Sequence, residues 1–94
     1  MRLDLGDLAS VREFSKAFKE RYDHLDLLIN NAGILSPELG KTKDGFESHM
    51  GINHLGPFLL TLLLLDVVVK SENARHSIYC CFLNVSLARF GYLF

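Results

Sequence analysis

The sequence predicts an α/β fold in which short parallel strands alternate with crossover helices. Three observations carry that expectation. Residues 8–22 repeat apolar side chains at helical steps. The runs "LDLLIN" (25–30) and "SIYCCFLNV" (77–85) are short, apolar and rich in strand formers. Between them lies a second, strongly apolar helical stretch. Strand, helix, strand, helix, strand is the order that right-handed crossovers generate.

In chain order, "RLDL" (2–5) alternates apolar and polar residues and reads as the end of a strand. Leu8, Val11, Phe14, Phe18 and Tyr22 then recur at three- and four-residue spacings, one face of an amphipathic helix. Asp7 or Ser10 can cap it, and Ser10 with Glu13 spells a capping box. Lys16 and Glu20 are i, i+4 partners on its wet side. "LDLLIN" is too short for a helix and apolar at successive positions, which suits a strand covered on both faces. A loop with Pro37 and Gly40 follows. Asp44 is expected to open the next helix, with Glu47 three residues on, and that helix runs to about Lys70 with an interruption at Gly56-Pro57. "SENARH" (71–76) is a polar turn into the last apolar run.

The 94 residues allow one small domain. Ten basic and 11 acidic residues leave a net charge of -1, which offers no electrostatic footing for nucleic acid or an anionic membrane. Sixteen of the 21 charges lie in residues 1–50 and five in 51–94, so the C-terminal part reads as core or as surface for a partner. Cys80 and Cys81 are adjacent, do not form a C-x-x-C site and read as buried thiols of a reducing, intracellular compartment. His24, His49, His54 and His76 show no i, i+4 pairing and read as ordinary surface or loop residues; no metal site is expected. The run Phe58–Val69 holds ten apolar residues in 12, shorter than the roughly 20 that span a bilayer. Neither a signal peptide nor a membrane span is expected in this chain, and the sequon Asn84-Val85-Ser86 has no secretory context.

The stretch "LLINNAG" (27–33) changes abruptly from aliphatic to amide to small. Ligands of open α/β sheets bind beyond the carboxyl ends of the strands, where Asn30–Gly33 would stand. Ala32 and Gly33 would let a flat ligand approach the backbone, and Gly33 can adopt a positive φ. The Asn30 amide can bond backbone and ligand together. The same residues also suit a tight strand-to-helix turn, and the tetrad by itself does not choose. Pro57 adds a second feature. It has no N–H for the carbonyl four residues back, so a kink near Asn53 is expected, with the Asn53 carbonyl relieved of its helical partner. Gly51 and Gly56 weaken the helix on either side.

Together, "LDL" (3–5), "NNAG" (30–33), "KTKDGFE" (41–47) and "NHLGPFLLT" (53–61) resemble the short-chain dehydrogenase/reductase family, in its retinol-dehydrogenase-like branch. The resemblance covers residues 2 to about 69, and "NVS" (84–86) is similar to the strand end that carries the family's catalytic serine. It implies a Rossmann-like, doubly wound parallel sheet and an oxidoreductase that uses NAD or NADP on a lipophilic alcohol or carbonyl such as a retinoid. By the same resemblance Asp4 and Leu5 would meet the adenine, and Asn30, Ala32 and Gly33 would line the adenosine side. Asn53 would be the catalytic asparagine whose main-chain carbonyl holds a water, and Ser86 would hydrogen-bond the substrate oxygen. Complete relatives of this branch can be membrane-associated, and dimers through the 58–69 helix are a family habit.

Two of the family's motifs do not occur in the 94 residues: the G-x-x-x-G-x-G turn that cradles pyrophosphate and the Y-x-x-x-K pair that moves the proton. In the strand order 3-2-1-4-5-6 the strands here resemble 3, 4 and 5 with two crossover helices. Residues 1–94 are therefore expected to form a single, incomplete dinucleotide-binding domain. Two functions follow as expectations: part of an NAD(P)-dependent oxidoreductase, inactive by itself, or a non-catalytic truncated product that associates through helix 58–69.

Overall fold

The computed structural model describes residues 1–38, 40–72, 75–82 and 86–92, the last two segments as backbone. The first helix, α1, spans Leu8–Arg21. Asp7 is its N-cap: the carboxylate accepts the Ala9 N–H at 3.0 Å, one of the donors a helix cannot pair internally. Ser10 turns back instead, accepting the Asp4 N–H at 3.0 Å. Asp44 does not open a helix of its own. Its carboxylate reaches across the fold to accept the Leu8 N–H at 2.8 Å, so it caps α1 from a distant loop. Lys43 beside it pairs with Asp7 at 3.0 Å.

Residues 2–5 take no strand. A strand exists by pairing, and among the described residues none lies beside this segment; Asp4 instead accepts the Gly6 N–H at 2.9 Å in a local turn. The strand β1 is Leu27–Asn30, with Leu28 and Asn30 turned inward. It is covered on one face only. Leu27 and Ile29 are 49% and 56% exposed, because the packed helices meet the other face.

Glu47 caps the next helical stretch. It begins with α2 (Ser48–Met50), widens into a π turn over Gly51–Leu55 and continues as α3 (Gly56–Val68). The expected interruption near Pro57 is therefore a π turn: the Gly56 N–H bonds the Gly51 carbonyl five residues back, and Pro57 has no N–H to resume the ladder at Asn53. Gly51 and Gly56 are buried at close contacts rather than acting only as weak points. A Cβ at Gly56 would run into the Leu5 carbonyl, and one at Gly51 into the Thr42 methyl. The left-handed glycine among the described residues is Gly45 (φ 86°), in the Thr42–Gly45 turn, and not Gly33.

The core is a cluster of Val11, Leu60, Leu64 and Val67, with Leu5, Phe14, Phe18 and Leu28 packed around it. The opposite side of α3 shows Phe58, Leu62, Leu65 and Val69 to solvent. Ser48–Val68 is one continuous helical stretch of 21 residues, long and apolar enough by composition to cross a bilayer, although 44% of its most apolar 18-residue window is buried within the fold.

The strand β2 (Arg75–Phe82) pairs parallel with β1, Asn30 opposite Ile78. The strand β3 (Ser86–Tyr92) returns antiparallel along β2, with Ser86 opposite Phe82. The run read as one strand over 77–85 is thus the first arm of a hairpin. Asn84 and Val85 lie outside the described residues.

Candidate functional site

At the carboxyl end of β1 the chain passes from Asn30 to Ser36 along the helical stretch 48–68, held to it at three points. Asn30 is buried (6% exposed) and its amide donates to Thr61 Oγ1 at 3.0 Å. Thr61 is oriented by donating in turn to the Pro57 carbonyl at 2.8 Å. Asn53 is buried (3% exposed) in the middle of the π turn. Its amide takes both backbone groups of one residue: the Ile34 N–H donates to Oδ1 at 2.7 Å, and Nδ2 donates to the Ile34 carbonyl at 2.9 Å. The Ser36 N–H donates to His49 Nε2 at 3.0 Å. Residues 30, 34 and 36 thus meet 61, 53 and 49 in antiparallel order.

Between the first two attachments, Asn31, Ala32 and Gly33 are exposed. This resolves the abrupt change in "LLINNAG". Aliphatic residues build β1, Asn30 ties its end into the fold, and small residues leave a bared backbone that is fixed on both sides. Asn30 faces inward, so it supports this segment from behind. Ala32 and Gly33 stand on the open side. Asp4 is exposed and Leu5 half-buried, and the Leu5 backbone lies against Gly56 of the same helical stretch. Of the predicted residues, Leu5 and Asn30 touch the helical stretch 53–61, Asn53 lies in it, Ala32 and Gly33 are carried between Asn30 and Ile34, and Asp4 bonds Gly6 and Ser10. Ser86 does not join them by the backbone path: it pairs with Phe82, four residues or about 13 Å of strand beyond the Ile78 that faces Asn30. Its side chain lies outside what the structure describes.

Electrostatics at the helix start centre on Glu47. Its carboxylate accepts the Met50 N–H at 2.9 Å and the His49 N–H at 3.1 Å, and meets His49 Nδ1 at 2.6 Å. The Met50 amide first, then the His49 ring and amide, hold its pKa down at about 2. His49 was readable as a site residue only from its position four before Asn53, on the same helix face; the absence of a second histidine at that spacing hid it. Thr61 was visible as a polar break in an apolar run. An open groove lined by Arg12, Ser15, Lys16 and Leu63 lies along α1, away from this cluster.

The profile of the short chain dehydrogenase family matches residues 1–76. The chain belongs to the short chain dehydrogenases. Among proteins of this kind, retinol dehydrogenase 11 of Mus musculus is 53% identical over 74 residues, which cover 79% of this chain and 23% of the relative. Polyprenol dehydrogenase of Homo sapiens is 49% identical over 74 residues, covering 79% of this chain and 22% of that protein. The structure of the Pseudomonas aeruginosa RhlG/NADP active-site complex superimposes with a TM-score of 0.62 at 29% identity, over 81% of this chain and 32% of that one. This short chain dehydrogenase sequence thus spans about a quarter of the length of the curated relatives it matches.

Proposed function

We propose that the chain supplies the adenosine-side wall of an NAD- or NADP-binding oxidoreductase domain acting on a lipophilic alcohol or carbonyl such as a retinoid. One observation carries this reading: the exposed Asn31-Ala32-Gly33 segment, fixed at Asn30 and Ile34, stands at the end of a parallel strand with small residues that a flat ring could approach. The kinship with retinol and polyprenol dehydrogenases supplies the substrate class. In this reading β1 and β2 take the neighbouring places 4 and 5 of a doubly wound sheet, and residues 2–5 approach place 3. Ala32 and Gly33 line the adenosine, Asn30 stiffens them from beneath, and Asp4 and Leu5 reach the adenine. The dinucleotide, when bound, gives or takes the hydride. The Asn53 main chain would hold a water near the proton path, and Ser86 would hold the substrate oxygen once its strand end is brought to the site.

The 94 residues contain neither G-x-x-x-G-x-G nor Y-x-x-x-K. Without the first, the pyrophosphate lacks its cradle of N–H groups. Without the second, a positioned acid/base worth about 10²–10⁴-fold in rate is missing. The chain by itself is therefore expected to show neither tight dinucleotide binding nor turnover. NAD(P)H fluorescence and absorbance at the nicotinamide band with retinal test both. A version extended by the two motifs should regain them together. Turnover by the 94-residue chain, surviving in Ser86→Ala, would overturn the reading.

A second reading is association without catalysis. It is favoured by Phe58, Leu62, Leu65 and Val69, which form an exposed apolar stripe on α3 at three- and four-residue steps. A homodimer, or a heterodimer with a full-length relative, would cover it.

A further inference from the structure

The geometry points to His49 as a positioning residue: its imidazole, locked in one neutral tautomer, fixes through the Ser36 amide the chain that leaves the exposed 31–33 segment. The two neighbours of the ring have fixed roles. Glu47 is an ionised carboxylate that can only accept, so Nδ1, 2.6 Å away, carries the hydrogen. The Ser36 N–H can only donate, so Nε2, 3.0 Å away, must be bare. A ring with both nitrogens protonated could not accept from Ser36. Glu47 is itself held by the Met50 and His49 amides, so the ring is aimed from the helix cap.

The placement gives this hydrogen bond its purpose. His49 and Asn53 lie one helical turn apart, while Ser36 and Ile34 lie two residues apart on the chain leaving Gly33. The pair therefore fixes both the location and the direction of the loop leaving Gly33. With Asn53 alone, the chain beyond Ile34 would be free to swing. That this orientation serves a bound ring rests on the function proposed above, but the clamp is measurable without any dinucleotide.

Two substitutions separate hydrogen bonding from bulk. In His49→Gln, Oε1 takes nearly the place of Nε2 and can accept from Ser36. In His49→Asn, the shorter amide mimics Nδ1 toward Glu47 and cannot reach Ser36. Amide hydrogen exchange of the 94-residue chain, resolved to single residues by mass spectrometry, and ¹⁵N NMR of its histidine rings are the readouts. The expected results are a His49 ring protonated at Nδ1 alone at neutral pH and protected Ile34 and Ser36 amides. Exchange at Ser36 should rise about five- to tenfold in His49→Asn, the equivalent of one hydrogen bond, and stay near the parent rate in His49→Gln. A proton on Nε2, a Ser36 amide that exchanges freely in the parent, or identical rates in the two variants would each overturn the assignment. Dinucleotide binding enters none of these measurements, so failure of the extended version to regain binding would count against the proposed function and leave the clamp standing.

Discussion

Asn53 holds the backbone of Ile34 as a neighbouring strand would, with one donor and one acceptor. Asn53→Ala removes both partners at once and leaves two half-buried backbone groups unmatched. The expected loss is about 1–3 kcal/mol in urea denaturation, with faster exchange at the Ile34 amide. Glu47 gives a pH dependence of known sign. Its pKa is lowered from 4.5 to about 2, so its contribution to stability is complete above about pH 4.5 and is lost as pH falls through 2. Helicity at residues 48–50, followed by NMR, should fall across that window, and Glu47→Gln should flatten the profile. The helix break at Asn53 was legible from sequence because Pro57 lies four residues on, but the hold of its side chain on Ile34 was not. The Asn30–Thr61 bond was not, since the partners are 31 positions apart and either side chain suits solvent equally well.

Helix α1 was readable almost in full, because an apolar stripe determines a face, although Asp7 and Ser10 both qualified as its cap and only the fold assigns Asp7. The second helix was not. Asp44 and Glu47 both qualify as caps by residue type, and only the fold shows that Asp44 serves α1 while Glu47 serves α2. Residues 2–5 have the alternation of a strand, yet alternation cannot supply a neighbour. The outward face of β1 failed for the same reason. At Gly56, α3 passes so close to the Leu5 carbonyl that a Cβ would meet backbone rather than a side chain that can move. Gly56→Ala should push the 4–6 turn off α3 and cost about 1–3 kcal/mol by overpacking, even though alanine is the better helix former. An unchanged or raised midpoint in thermal unfolding would show that this contact can relax.

At the scale of the molecule, a thin core is set against much exposed apolar surface. Leu64 is 1% exposed at the centre of the cluster. Leu64→Ala should cost about 2–5 kcal/mol, a large share of what a domain this small can hold. Outside the core, the α3 stripe and the Leu27 and Ile29 face leave six large apolar side chains uncovered. The chain is expected to self-associate at micromolar concentration in light scattering, and Leu62→Glu with Leu65→Lys should shift it toward monomer. A monodisperse parent chain would count against this.

The π turn also sets a rotational phase. An α-helix advances about 100° per residue, so eight residues overshoot two full turns by about 80°. Asn53 and Thr61 are eight apart, and in an unbroken α-helix they would point to different sides. A wider turn advances less per residue and takes up part of that offset. Thr61 is thereby swung toward Asn53's side, and one helix can serve both ends of the same loop. Removing a single residue from Gly51–Leu55 would shorten the chain by very little. With His54 or Leu55 gone, Asn53 and Thr61 would stand seven residues apart, about 20° short of two full turns, so plain α-helix would keep both attachments. One residue added there would act as a mistimed gear, rotating His49 and Asn53 away from the backbone they hold while Thr61 stays in place.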